Sequence, residues 1–241
     1  MKNGINSILF DVVSNLAIIL CFIPFLFLGL KKMRQVNTYW VIGIYWLFNG
    51  LVNLPTSGLI QSAGGQSMLQ GINHFYTVTE TPMVLLAFAF ASAGRWRKQL
   101  IWMILAFVAA ESVLLAVRGY NTATCGLITG AGLVLVLSYS VAGLWQYLKK
   151  MEHSRFEDSM VFVYAALLFG YGSFLIIYIF AHYRTGPAGV TYNETDSFLL
   201  YYISLLLSAS VTCTGLGSYG LRRKRARRRP SLVSGYSSSS S

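Results

Sequence analysis

The sequence predicts an all-α fold: a polytopic membrane protein built as a seven-transmembrane helix bundle, with the N-terminus outside and the C-terminus in the cytoplasm. Three observations predict it. The chain of 241 residues is 55% hydrophobic and only 11% charged, and its mean hydropathy is +0.55. Apolar runs of about 20 residues, the length that crosses a bilayer, recur along it. Lys and Arg gather in alternate loops. This composition excludes a soluble domain of ordinary surface chemistry.

Seven apolar runs are separated by short breaks in which Gly, Pro, Asn and charged residues cluster, as loops require. The run from Ile8 to Leu30 is too long for a signal peptide and lacks an A-x-A site before Lys31, so we expect a retained helix. The transmembrane domain covers 1–221, and 222–241 form a basic, then Ser-rich cytoplasmic tail that we expect to be disordered. The predicted helices are 7–30, 38–60, 71–93, 98–118, 122–148, 159–182 and 197–220.

The orientation follows from the Lys and Arg count on each side. The first, third and fifth loops hold three each, and the run from Arg222 to Arg229 adds seven, which gives sixteen on one side. Only Lys2, Arg118 and Arg184 fall on the other side. Because the basic side of a membrane protein faces the cytoplasm, the N-terminus is expected outside. That orientation requires an odd number of spans, and seven satisfies it.

Several classes of site find no support in the sequence. Cys21, Cys125 and Cys213 all lie in apolar runs, where thiols act as small hydrophobic residues. No CxxC, HExxH or Cys/His pair at ligand spacing occurs, so we expect no metal and no cofactor. GxSxG and paired-Asp motifs are missing as well, which does not favour an enzyme. The RRKRARRR run begins directly at a span, which favours a topology determinant over nucleic-acid binding.

Two acidic residues lie well inside predicted spans. Glu80 occurs in the stretch NHFYTVTETPMVLL, residues 73–86, and Glu111 is in the fourth helix. An ionisable side chain inside a bilayer costs several kcal/mol unless it is paired, protonated or hydrated, so each is a candidate functional residue. Counting 1.5 Å per residue, Glu80 lies roughly 13 Å and Glu111 roughly 10 Å below the outer face.

Other polar side chains reach the same outer half of the bundle. Asn49 and Asn53 share one face of the second helix, because they are four residues apart. The predicted ligand-binding residues, which include these two and both glutamates, are Glu80, Thr77, Asn73, Asn49, Asn53, Glu111, Tyr171 and Tyr178. They predict a polar pocket that opens to the outside. The same Asn and Thr residues also fit interhelical hydrogen bonds, at about 0.6 kcal/mol each.

Two local stretches resemble the microbial rhodopsin family. TETPMVLL (79–86) is similar to the third helix of those proteins, and LLSASVTCTGLG (206–217) is similar to the seventh. The resemblance implies a seven-helix fold with an outward N-terminus. In that family a lysine on the seventh helix binds retinal, but the matching position here is Ser210, and Tyr76 stands at the counterion position. All seven lysines lie in loops or at helix ends, so covalent retinal binding is excluded. The layout is also similar to that of uncharacterised bacterial seven-helix proteins.

The sequence favours a membrane protein that binds or senses a small ligand from the outer side, with a membrane or cytoplasmic protein as partner of its inner loops. Alternatives are a structural subunit of a membrane complex, a proton-coupled transporter that uses Glu80, and an intramembrane enzyme. The expected location is the cell membrane in multi-pass form, which means the inner membrane in a Gram-negative bacterium. Ligand identity, organism and oligomeric state do not follow from the residues.

Overall fold

The computed structural model describes residues 2–30, 36–57, 63–183 and 194–227, and in these ranges the chain is entirely helical apart from short turns. The all-α prediction is therefore confirmed. One 3-10 turn, Leu54–Ser57, follows α2. The seven α-helices are α1 (Lys2–Leu30), α2 (Asn37–Asn53), α3 (Ala63–Ala91), α4 (Gly94–Arg118), α5 (Thr122–Lys149), α6 (Arg155–Tyr183) and α7 (Glu194–Arg227).

Five helices within the described residues are long and apolar enough to cross a membrane: Ile8–Leu30, Gly94–Arg118, Ala123–Lys149, Arg155–Ile177 and Phe198–Tyr219. These spans make the chain a multi-pass integral membrane protein in contact with lipid. Large apolar side chains remain outside the packed interior, as lipid contact requires. On α4, for example, Trp102 is 72% exposed and Val117 is 78% exposed. Within α4, only Leu100 and Glu111 are buried.

Local polar contacts determine where two helices begin. Asn121 precedes α5, and its side chain accepts a hydrogen bond from the Thr124 backbone N–H at 2.8 Å. Ser154 precedes α6 and forms a reciprocal pair with Glu157. The Ser154 N–H donates to Glu157 Oε2 at 2.8 Å, and the Glu157 N–H donates to Ser154 Oγ at 3.2 Å. This pair satisfies two backbone donors that a helix N-terminus otherwise leaves free.

The helix boundaries differ from the predicted ones where local chemistry acts. The second helix, expected to reach residue 60, ends as an α-helix at Asn53 and continues as the 3-10 turn, because Pro55 has no backbone N–H to donate to the Leu51 carbonyl oxygen. The third helix begins at Ala63 rather than 71 and continues through Pro82. The seventh extends to Arg227 instead of ending at 220. Residues 228–241 of the predicted tail lie outside the described part of the chain.

Six of the helices form a closed ring. Going around it, α1 packs on α2, α2 on α3, α3 on α5, α5 on α6, α6 on α7, and α7 returns to α1. The fourth helix lies outside this ring and packs mainly on α3. The ring encloses the largest buried side chains, which include Trp46, Tyr202 and Phe88. A polar cavity interrupts this apolar interior.

Candidate functional site

A cavity of about 220 Å³ lies among α2, α3, α5, α6 and α7. Neither α1 nor α4 contributes to its described wall. Protein interiors pack as densely as organic crystals, so a void of this size inside a helix bundle is an unusual feature. Its wall carries six aromatic side chains, which are Tyr45, Trp46, Tyr76, Tyr171, Phe174 and Tyr201. Its polar wall residues are Asn49, Asn73, Thr77, Glu80, Thr81, Thr129, Ser204 and Ser208.

Glu80 is the acidic group of this wall. Its side chain is half-buried, and the exposed part borders the cavity. The Tyr171 hydroxyl, from α6, donates a hydrogen bond to Glu80 Oε1 at 2.8 Å. The Tyr76 hydroxyl, one turn earlier on α3, lies beside the same carboxyl group. The hydrogen bond from Tyr171 stabilises the ionised form of Glu80, since a carboxylate only accepts hydrogen bonds.

Tyr76 and Tyr45 connect the surroundings of Glu80 to α2. Asn49 Nδ2 donates to the Tyr76 hydroxyl oxygen at 3.0 Å. The Tyr45 hydroxyl lies close to Tyr171 and Asn49. The Tyr45 ring lies 6.5 Å from the Tyr76 ring and 6.5 Å from the Tyr171 ring, measured between centroids. Three tyrosines from three helices therefore surround one carboxyl group.

Asn53 extends the network from α2 to α7. Its Nδ2 donates to the Asn49 backbone oxygen at 2.8 Å and lies 3.2 Å from the Tyr201 hydroxyl. The Tyr202 hydroxyl donates to Asn53 Oδ1 at 3.4 Å. Asn53 is buried and is not part of the cavity wall. Its contacts hold α2 against α7, so it supports the site without bordering the cavity.

The structure brings most of the predicted site residues together. Asn73 and Thr77 border the cavity on α3, where the Thr77 hydroxyl donates to the Asn73 backbone oxygen at 2.9 Å. Asn73 is exposed and marks the edge of the cavity. Asn49 and Tyr171 are also wall residues. Tyr178 belongs to α6, and its side chain lies outside the described part of the chain.

Glu111 is a predicted site residue that the structure keeps apart from both the described cavity wall and the hydrogen bonds around it. Its side chain is 3% exposed, and neither carboxyl oxygen has a hydrogen-bond partner among the described residues. The cause is the position of α4, which lies outside the ring and contributes nothing to the described cavity wall. A depth estimate places a residue at a level in the membrane and says nothing about its direction around the bundle.

The predicted site residues omitted five aromatic residues of the described wall: Tyr45, Trp46, Tyr76, Phe174 and Tyr201. For two of them, the spacing along the helix indicates a position on the cavity side. Tyr45 is four residues before Asn49, and Tyr76 is four residues before Glu80, so each shares a helix face with a predicted site residue. On α7 the same spacing places Tyr201, Ser204 and Ser208 on the cavity side.

Within the described residues, no group of three or more His, Cys, Asp or Glu side chains is arranged to hold a metal ion. The chemistry of the cavity is that of one carboxyl group, several hydroxyls and aromatic rings. Comparisons of the chain with protein-family models, with curated proteins and with solved structures found no match.

Proposed function

We propose that this chain is a seven-span membrane protein that binds a small molecule from the outer side in the cavity beside Glu80. The observation that carries the proposal is the carboxyl group itself. Glu80 borders a void of about 220 Å³, where Tyr171 and Tyr76 hold it in place. An ionisable group inside a membrane span that faces a cavity is the usual mark of a ligand or ion site.

Both α2 and α3 carry polar residues, and the contacts of these residues support the seven-span arrangement. The polar residues of these helices, such as Asn49 and Glu80, bond to other helices inside the ring. These polar side chains therefore face the inside of the ring and do not contact lipid. At 1.5 Å per residue the 17 residues of α2 extend about 26 Å, close to the hydrocarbon thickness. The distribution of Lys and Arg supports an outward N-terminus, as in the microbial rhodopsin layout that the sequence resembles.

Interhelical support alone does not account for the void. Asn53 is an example of a polar side chain that only supports helix packing, because it is buried and forms hydrogen bonds with Tyr201 and Tyr202. A structural carboxyl group would be expected in the same packed setting, since empty space forfeits dispersion contacts. Glu80 instead borders unfilled space that α2, α3, α5, α6 and α7 share. A molecule bound there would contact five helices at once.

This geometry suits sensing. A ligand that draws the walls together would change the relative positions of α3 and α6, and the turns at their basic ends would report the change to a protein partner. A ligand shifts such an equilibrium only by its difference in affinity for the two arrangements. The location that fits this role is the cell membrane, which is the inner membrane in a Gram-negative bacterium.

The proposal is tested by the chemical accessibility of the wall. Thr129 on α5 is half-buried and borders the cavity, whereas Ser140 on the same helix is fully buried and belongs to no described cavity wall. In a background with the native cysteines replaced by Ala, Thr129→Cys and Ser140→Cys are each treated with the small neutral reagent methyl methanethiosulfonate. We expect Thr129→Cys to react at least tenfold faster. Equal rates would refute an accessible cavity.

A further inference from the structure

We infer that the molecule bound in the cavity is a small organic cation, whose ammonium group lies between the Glu80 carboxylate and the surrounding aromatic rings. This inference rests on the proposed function and adds the chemical class of the ligand. Three properties of the wall carry it: its charge, its aromatic faces and its size.

The charge of the wall selects against anions. Glu80 is the only Asp, Glu, Lys, Arg or His among the described residues of the wall. Its ionised form accepts a hydrogen bond from Tyr171 but is not neutralised, because a hydroxyl carries no net charge. A cation in the cavity supplies the missing countercharge. An anion would face a like charge in a medium of low dielectric constant, which is strongly unfavourable.

The aromatic rings favour an organic cation over a metal ion. Tyr45, Tyr76 and Tyr171 surround the carboxyl group, and Trp46, Phe174 and Tyr201 complete the wall. Aromatic faces attract cations within about 6 Å, and recognition of quaternary ammonium groups by several rings is the best known use of this attraction. The Tyr45 and Tyr171 rings are nearly parallel, at 25°. Among the described residues no three His, Cys, Asp or Glu side chains are arranged to hold a metal ion, and the described wall offers one carboxyl group.

The size of the cavity limits the ligand. About 220 Å³ holds roughly seven molecules of water at about 30 Å³ each. Pockets for drug-sized ligands are usually larger, about 300–1,000 Å³. A compact ammonium compound of the size of choline fits this volume.

A pair of matched probes separates charge from shape. Choline and its neutral carbon isostere 3,3-dimethylbutan-1-ol have the same shape and the same hydroxyl group, so only the charge differs. Binding is measured by isothermal titration to the protein in lipid nanodiscs, at constant ionic strength maintained with NaCl. We expect choline to bind at least tenfold more tightly than the isostere, and Glu80→Gln to abolish most of that preference. Equal affinities, or binding of neither probe, would overturn the inference.

The second measurement uses the cavity cysteine and does not depend on the choice of ligand. Thr129→Cys is treated with a methanethiosulfonate that carries trimethylammonium and with one that carries sulfonate. The ratio of the two rates is divided by the same ratio at the exposed position Ala123→Cys. We expect a corrected preference of at least fivefold for the cation, and its loss in Glu80→Gln. A corrected ratio of one would also overturn the inference. If neutral methyl methanethiosulfonate still reacts at Thr129→Cys, the proposed function stands without the cation, whereas its failure there would remove both.

Discussion

The Tyr171 hydroxyl donates a hydrogen bond of 2.8 Å to Glu80 Oε1, and this contact joins two helices whose residues lie 91 positions apart in the chain. The Tyr171 ring also stacks on Tyr45 of α2 at a centroid distance of 6.5 Å. One tyrosine therefore positions the carboxyl group and fixes the spacing of three helices around the cavity. The contribution of the Tyr171 hydroxyl to stability can be measured separately from that of its ring.

The first prediction concerns the hydroxyl. Tyr171→Phe keeps the ring and removes the donor, so we expect a loss of about 0.6 kcal/mol in unfolding free energy, the average for hydrogen bonds between membrane helices. Combined with Glu80→Gln, the double variant should lose less than the sum of the single variants, because both remove the same contact. The measurement is reversible unfolding in detergent. Tyr164→Phe is the control, because Tyr164 lies on the same helix and does not border the described cavity.

If the loss in the double variant equals the sum of the losses in Tyr171→Phe and Glu80→Gln, the hydrogen bond does not couple the two side chains energetically. A loss in Tyr164→Phe as large as that in Tyr171→Phe would show that any tyrosine hydroxyl on α6 has the same effect. Either result would leave the position of Glu80 without its main support.

The second prediction contrasts the two glutamates inside the bundle. The Glu111 carboxyl group is buried without a hydrogen-bond partner among the described residues. An unsatisfied buried polar group costs about 1–3 kcal/mol, so Glu111→Leu should raise the unfolding free energy by about that amount. Glu80→Leu should lower it, because Tyr171 would lose its acceptor. Thermal unfolding in the same detergent measures both. A loss of stability in Glu111→Leu would mean that Glu111 has a partner beyond the described contacts.

The sequence groups polar residues by their expected level along the helices and contains much less information about their direction around the bundle. Asn49, Glu80 and Tyr171 were predicted to lie at one depth, and the structure brings all three to one cavity. Glu111 was predicted at nearly the same depth, yet α4 lies outside the ring. Helix order around a bundle depends on the sum of many packing contacts between distant segments, and no local pattern records it.

Helix ends and aromatic walls show the same division between local and distant information. Asn121 and Ser154 are visible in the sequence as residues that favour the start of a helix, because capping involves neighbours three residues apart. The gathering of Tyr45, Tyr76 and Tyr171 around Glu80 involves three helices. Each tyrosine alone fits equally well into a membrane interface, so only the assembled ring distinguishes the two roles.

The third prediction concerns a close approach of α5 to α3. A Cβ at Gly132 would collide with the side chain of Thr81, which borders the cavity next to Glu80. Gly130, two residues earlier, has open space at the same position. We expect Gly130→Ala to be neutral or stabilising by up to about 1 kcal/mol, through helix propensity. Gly132→Ala should cost about 1–3 kcal/mol, as overpacked positions do.

Gly132→Ala should also slow the modification of Thr129→Cys, because displacement of Thr81 narrows the cavity. The rate in Gly130→Ala is the matched reference. If both glycine variants have equal stability and equal modification rates, the contact between Gly132 and Thr81 has no role in shaping the cavity.

The last prediction concerns the two ends of α5, which contains the candidate span Ala123–Lys149. Ala123 is exposed in its first turn, and Met151, 101% exposed, follows its last residue. Lys149, Lys150 and Arg155 lie at the Met151 end. The positive-inside rule therefore places Met151 in the cytoplasm and Ala123 outside.

Single cysteines at these two positions, in a background without the native cysteines, test the orientation of this span directly. A membrane-impermeant maleimide added to intact cells should label Ala123→Cys, while Met151→Cys should react only after the membrane is opened. The two positions lie at opposite ends of one helix, so differences in expression or folding between distant regions do not affect the comparison. The reversed pattern would place the cavity entrance on the cytoplasmic side, and labelling of both in intact cells would show that α5 does not cross the membrane. Together with an outside N-terminus, the expected pattern requires an even number of crossings before α5, and the proposed seven-span arrangement has four.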